Sequence, residues 1–368
     1  MSLFVGLMSG TSIDAIDAVL VEANQATFQV IATYTHPWPQ ALRNILLELS
    51  LYKQSNSTLH ELALLDRMVG KEFASATLAL LAQQQLASTE ITAIGCSGQT
   101  IYHSPDTTPA YTYQIGDPNT LAEFTGITTV ADFRRRDIAA GGQGAPLATA
   151  FHQAMMHSSQ ENRVVLNIGG IANITVLPAD ATLPIIGFDT GPGNTLLDAW
   201  IQDILHLPFD KQGKWANSGQ VNDKLLTILL ADLYFSRPAP KTTGRDYFNI
   251  PWLKSHLTHF NLSPEDVQAT LAQLTVQSSV QAILPYSPNH LFVCGGGVHN
   301  SVLMRGLQSN LPHCIVQSTE AIGIDPDWVE AACFAWLAKQ RLAEQPSNLP
   351  SVTGARHSVS LGCIYHHA

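Results

Sequence analysis

The sequence predicts an α/β protein made of two duplicated lobes, and three observations carry that expectation. A short apolar run, a turn of small residues and a second apolar run stand at the N-terminus and return near the middle of the chain. Other apolar runs of strand length end abruptly on polar or glycine-rich stretches, which is how an open sheet builds a site at its strand ends. The length permits it, because 368 residues hold two domains of ordinary size or one large duplicated core.

Composition narrows the class. With 45% hydrophobic and 13% charged residues the chain reads as globular, not disordered. A formal net charge of −10 argues against the basic surface that nucleic acids require, while a small anion needs only a local positive site. No apolar run approaches the roughly 18 residues of a membrane span, and residues 1–21 lack a basic start, so neither membrane partner nor leader is expected. Cys96, Cys294, Cys314, Cys333 and Cys363 form no C-x-x-C pair and are odd in number. They point to a reducing cytoplasm and read as small buried apolar residues.

Leu3 to Met8 and Ile13 to Glu22 read as strands joined through Ser9, Gly10, Thr11 and Ser12, a hairpin whose tip is either an ordinary polar turn or a set of hydroxyls and N–H groups for a phosphate. Asp14 and Asp17, just beyond, are placed to hold a divalent cation directly or through water. From Trp38 to Leu86 leucines recur at helical spacing, giving scaffold. Ile91 to Cys96 is a strand delivering Ser97, Gly98, Gln99 and Thr100. Tyr111 to Ile115 and Ile127 to Val130 repeat the device, the last ending in Asp132-Phe133-Arg134-Arg135-Arg136-Asp137. In a chain with few charges, arginines directly after a strand are either a solvated cluster or a grip for a carboxylate. Residues 141–146 make a flexible turn into a helix near Leu147.

The second half restates the first. Arg163 to Ile168 and Ile171 to Leu177 are strands around Gly169-Gly170. An apolar run from Leu183 to Phe188 then ends on Asp189-Thr190-Gly191-Pro192-Gly193-Asn194, with a helix to follow. Asp189 at that strand end is either a turn former or a catalytic carboxylate, and the glycines would let backbone amides approach an anion. Residues 236–251 read as an ordered surface loop. Ser263 caps a helix running from Pro264 to about Leu284. His290 to Cys294 is a strand ending in Gly295, Gly296 and Gly297, which serve either a tight turn or a closely approaching nucleotide base or ribose. Asp327 to Leu342 is the final long helix. Together the hairpins, the strand-end Asp189 and the third glycine-rich strand end suggest two lobes closing over a nucleotide. No P-loop or protein-kinase signature occurs.

At this point the sequence resembles the anhydro-N-acetylmuramic acid kinases of the actin, Hsp70 and sugar-kinase superfamily. The residues carrying the resemblance are Gly6 to Asp14, Asp132 to Arg134 with Ala139 to Pro146, Asn167 to Asn173, Asp189 to Asn194, and Cys294 to Asn300. Two positions depart: Ser97 stands where the family has His, and Ala15 where it has Gly. The resemblance implies two actin-like (ribonuclease H-like) lobes with a nucleotide cleft between them. The first would cover residues 1–132, with part of the C-terminal helix returning to it, and the second residues 133–368.

It implies an ATP- and Mg²⁺-dependent cytoplasmic kinase that opens the 1,6-anhydro ring of a cell-wall amino sugar and phosphorylates O6, and it leaves room for a homodimer. Asp189 would be the catalytic base. ATP would be held by Gly10, Thr11, Ser12, Asp14, Asp17, Gly169, Gly170, Asn173, Gly191, Gly193, Asn194, Gly295, Gly296 and Gly297, with Asp14 and Asp17 nearest the metal. Gln99, Asp132 and Arg134 would bind sugar. Two other classes compete: a nucleotide-gated interaction module, which has no use for residues 132–146, and an ATP-independent glycoside hydrolase, which has none for the N-terminal hairpin.

Overall fold

The computed structural model describes residues 1–10, 12–24, 27–51 and 58–367, and the predicted site residue Thr11 lies outside them. Thirteen strands are present among these residues: β1 (Ser2–Met8), β2 (Ala15–Ala23), β3 (Phe28–Pro37), β4 (Ile91–Cys96), β5 (Gln99–Ser104), β6 (Tyr111–Ile115), β7 (Thr129–Ala131), β8 (Arg163–Ile168), β9 (Ile171–Leu177), β10 (Ile186–Pro192), β11 (His290–Cys294), β12 (Ile315–Ser318) and β13 (Cys363–Tyr365).

The chain divides into two compact units, residues 1–151 with 328–368, and residues 152–327. Within the first, the sheet order is β13-β7-β4-β1-β2-β3; within the second it is β10-β9-β8-β11-β12. The hairpin strands β1 and β2 are antiparallel, β3 continues antiparallel on β2, and β4 and β7 add parallel on the other side of β1. In the second unit β8, β9, β10, β11 and β12 repeat that plan strand for strand. The fold is therefore the duplicated α/β, actin-like architecture, with β13 added at one edge of the first sheet.

The division falls at residue 151, not 132, and the whole of 328–368 belongs to the first unit. Glycines explain how the chain returns. Gly6 and Gly95 are paired in register across β1 and β4. A Cβ on Gly6 would fall on the carbonyl oxygen of Ala331, and one on Gly95 on that of Phe334. The apolar helix Val329–Leu342 thus lies with its backbone on the sheet, where any side chain at either strand position would push it off. Val5, Leu7, Ile94, Phe73 and Leu80 form part of the core elsewhere in this unit.

Helix starts follow local chemistry. Leu59–Gln84 begins with a capping box in which Glu61 N–H donates to Thr58 Oγ1 (3.2 Å) and Thr58 N–H to Glu61 Oε2 (2.7 Å). Pro264–Ile283 starts at Ser263, whose Oγ accepts from Asp266 N–H. Four strands escape the sequence reading: β3 and β5, where polar residues interrupt the apolar pattern, β12, which is short and half exposed, and the three-residue β13. β6, read as a strand of the open sheet, instead pairs with β5 in a separate two-stranded ribbon. Four of the five cysteines are buried and Cys363 is exposed; among the described residues no helix is long and apolar enough to cross a membrane.

The 141–146 turn is pinned, not flexible. Asp137 is fully buried, and its carboxylate accepts from Gly144 N–H (2.8 Å), Asn348 Nδ2 (2.7 Å) and Thr353 Oγ1 (2.8 Å). One side chain so joins the turn to the C-terminal segment. In Asp137→Ala these donors lose their acceptor, at about 1–3 kcal/mol for each left unpaired. Urea unfolding of this variant is expected to show a stability loss of about 3 kcal/mol or more; an unchanged midpoint would mean that the tail is anchored otherwise.

Candidate active site

The second unit gathers most of the predicted residues. Asp189 lies inside β10, not at its end: it pairs with Asn173 of β9, which pairs with Asn167 of β8. These three side chains form a half-buried polar row across the sheet. The strand continues past Asp189 because a second neighbour supports it, Asp189 N–H donating to Lys241 O at 3.0 Å. An irregularity in register between Asp189 and Gly191 follows.

The same loop holds the carboxylate, with Thr243 N–H donating to Asp189 Oδ2 at 3.0 Å. Burial pushes the Asp189 carboxyl up from 3.8 to about 6, outweighing that single hydrogen bond. Among the described residues no cation pairs with it. Lys241 turns its ammonium to the carbonyls of Tyr234 (3.3 Å) and Phe235 (3.0 Å), and Tyr234 OH donates to the backbone oxygen of Asp189 at 2.6 Å. Burial and the charge of Asp189 raise the Tyr234 phenol, so it stays a neutral donor. Thr243 Oγ1 is buried without a hydrogen-bond partner among the described residues. Tyr234, Lys241 and Thr243 were missed in the sequence, where a proline-interrupted stretch carries no signal that it will lie against a strand 50 residues earlier.

The glycine turns divide by what occupies their missing side chains. Gly193, Asn194 and Thr195 donate their N–H groups to the carbonyls of Gly170, Gly169 and Gly170 at 2.9, 2.8 and 3.0 Å. These amides, expected to face an anion, instead clasp the β8–β9 turn to the start of the helix Thr195–Leu205, and Asn194 Nδ2 adds a bond to Ile168 O at 3.1 Å. A Cβ on Gly193 would strike Gly169 O, so glycine there serves the clasp. Gly191, at φ 149°, packs under Phe235.

Gly295, at φ 78°, and Gly297 press on Asn167 and Ile168, so both are glycine for the tight turn itself. Gly296 and Gly169 differ: a Cβ on Gly296 would meet only Asn194 Nδ2, at 3.9 Å, and one on Gly169 only Ile171 O, at 3.7 Å. At these two the backbone is open.

In the first unit, Gly10 and Ser12 lie in the β1–β2 turn, closed by Ile13 N–H donating to Gly10 O at 3.1 Å. Gln99 is fully buried. It accepts from Ser9 Oγ at 2.7 Å and reaches Gly10 O at 3.4 Å, bracing that turn. Ser97, the departure from the family, accepts from Ser9 N–H at 3.3 Å. Asp14 is exposed and paired with Arg43 at 3.1 Å, while Asp17 accepts from Thr35 at 3.4 Å. Among the described residues no group of three His, Cys, Asp or Glu gathers as a metal cage. Two hairpin carboxylates still suit an ion that takes most of its ligands from phosphate and water.

Asp132 adopts a left-handed backbone and is spent on Arg135 at 2.8 Å. Arg134, at the start of the helix Phe133–Ala139, donates Nη1 to Gly144 O at 2.9 Å; burial disfavours its charge and the Glu330 carboxylate favours it.

The comparisons with known proteins agree over the whole chain. The family model described as anhydro-N-acetylmuramic acid kinase matches residues 2–367. A protein named anhydro-N-acetylmuramic acid kinase from Xylella fastidiosa (strain Temecula1) is 52% identical over 99% of this chain and 96% of its own length. Its namesake from Coxiella burnetii (strain Dugway 5J108-111) is 50% identical over 98% of this chain and 97% of its own, and that from Pasteurella multocida (strain Pm70) is 49% identical over 98% and 96%. The chain belongs to the anhydro-N-acetylmuramic acid kinase family.

Proposed function

We propose that this protein is an ATP-dependent kinase that adds water across the 1,6-anhydro bond of 1,6-anhydro-N-acetylmuramic acid and phosphorylates O6, giving N-acetylmuramic acid 6-phosphate and ADP. Beyond family membership, one observation supports the chemistry: Asp189 is a desolvated carboxylate with a raised pKa, oriented by one neutral N–H and paired with no cation among the described residues.

In this reading Asp189 takes a proton from water as the water oxygen bonds to C1. The C1–O6 bond breaks, O6 bonds to the γ-phosphorus, and the bond from that phosphorus to the β-bridging oxygen breaks as ADP leaves. An inverting glycosidase needs a second carboxylic acid to protonate its leaving oxygen; here the phosphoryl group takes the place of that proton, so one carboxylate suffices. Gly169 and Gly296 offer open backbone to the nucleotide, and Gly10 and Ser12 belong to the N-terminal hairpin of the same plan. Arg134, always charged, is our candidate for the sugar's lactyl carboxylate. Mg²⁺ would reach Asp14 and Asp17 through water and neutralise phosphate charge. A cytoplasmic site of action fits the use of ATP.

Mass spectrometry of the protein with ATP, Mg²⁺ and the anhydro sugar tests the reading: sugar-dependent ADP and a phosphorylated product are expected, and their absence would overturn it. Hydrolysis of the sugar without ATP would point to a glycosidase. Asp189→Asn is expected to bind ATP yet lose turnover by about 10³-fold or more, and retained activity would remove Asp189 from the role of base. For the wild type, kcat/KM should rise with pH through about 6 as Asp189 ionises.

The same shift has a stability consequence. Because the folded value lies above 3.8, the folded state binds the extra proton between about pH 4 and 6 and loses stability as pH rises through that window. Asp189→Asn should therefore be more stable than wild type at pH 8, by about 1–3 kcal/mol, and nearly equal to it at pH 4. Thermal melts at the two pH values measure this, and a difference independent of pH would contradict the desolvation of Asp189.

A further inference from the structure

The segment that holds Asp189 does not end at Thr243. After Gly244, whose carbonyl accepts from the N–H groups of Tyr247 and Phe248 (both 3.1 Å), it is anchored by Phe248, fully buried in the core of the second unit. Between these fixed points stands Arg245. Its guanidinium lies over the β8–β9 turn: a Cβ on Gly170 would come within 2.9 Å of Nη2 and 3.0 Å of Nε. The Arg245 guanidinium thus occupies the side-chain space beside Gly170.

Arg245 is exposed, and no ion pair or hydrogen bond joins its guanidinium to another described residue. An arginine over a turn without a counter-charge leaves its donors to an outside anion, and guanidinium matches a phosphoryl group by paired hydrogen bonds. The turn beneath it carries Gly169, open to a ligand.

We propose that Arg245 binds the γ-phosphoryl group of ATP and stabilises it during transfer, as a positive charge supplied by the chain itself. This rests on the kinase reading above. The γ-phosphoryl group is favoured over the inner phosphates because one short loop carries both Arg245 and the Thr243 N–H that orients Asp189. The loop so couples the cation to the end of the site where bonds change. A phosphoryl group in flight spreads charge over its equatorial oxygens, so an arginine there gains strength in the transition state and should act mainly on kcat. No bond is made or broken at Arg245.

The test uses the full chain with Arg245→Ala and Arg245→Lys, each first compared with wild type by thermal melting. Binding of ADP and of a non-hydrolysable ATP analogue is measured without sugar. Arg245→Ala should keep ADP affinity within about twofold while weakening the analogue by about tenfold, the worth of a charge-assisted pair. In turnover it should lower kcat by about 10³-fold with the sugar KM little changed, and added guanidinium ion should restore part of the rate. Arg245→Lys, which keeps the charge but not the fork, should bind the analogue more tightly than Arg245→Ala and still turn over more slowly than wild type.

Equal weakening of ADP and analogue, a kcat within about threefold of wild type, or a loss confined to the sugar KM would each overturn the proposal, the last assigning Arg245 to the sugar carboxylate instead. If the Ala variant unfolds, the Lys variant carries the same comparisons. Failure of the wild type to phosphorylate the sugar overturns the kinase reading alone, since the ADP-against-analogue comparison needs no sugar.

Discussion

Desolvation of one carboxylate is the constraint on which the second unit turns. Asp189 is withdrawn from water, and a buried carboxylate must be either paired with a cation or held by neutral donors at the cost of a raised pKa. The structure takes the second course. Lys241 is near enough for its backbone to support β10, yet its ammonium is drawn off to two carbonyls. Thr243 supplies one N–H, and Tyr234 holds the backbone of Asp189 and not its carboxylate. A lysine salt bridge would have tied the group down and lowered its pKa. One neutral donor fixes the direction of the carboxylate and leaves it basic.

Glycine answers two different demands in this chain. At Gly6, Gly95, Gly193, Gly295 and Gly297 the space of a side chain is taken by the protein's own backbone or core. At Gly170 it is taken by a guanidinium, and at Gly169 and Gly296 by nothing. Sequence alone sees one residue type in all eight places. The distinction is one of tertiary structure, and it gives Gly193, Gly295 and Gly297 a packing reason of their own.

What was legible in the sequence was local. β4, β6, β8, β9 and β11 start and stop where their apolar runs do, because each is bounded by turn residues that cannot extend it. The duplication was legible as two hairpins, and the strand order then extends it to five strands in each unit. The non-local features were not legible. β3 and β5 are set by their neighbours and not by their own pattern, and the first unit's boundary depends on a helix some 200 residues from the 132–151 segment it joins, through packing on Gly6 and Gly95. Asp189 stood out as a carboxylate among glycines. Its orienting partners did not, because nothing in residues 236–251 announces where that segment will lie. Nor was it legible that Gln99, a polar residue after a strand, would brace a turn inside the protein.

The two units share a plan but not their connections. Between the third and fourth strands of that plan the first unit has residues 38–90, mostly two helices, and the second has residues 193–289. Tyr234, Lys241, Thr243 and Arg245 all fall in this longer connection. The shared strands supply the turns and the polar row Asp189, Asn173 and Asn167, while the added length supplies what desolvates and orients Asp189 and what lays a cation over Gly170. The first unit, lacking that length, fills its corresponding turn with the hydroxyls of Ser9 and Ser97 and the amide of Gln99. The asymmetry follows from where the duplicated scaffold was extended: the groups that hold Asp189 fall in the added length of the second unit.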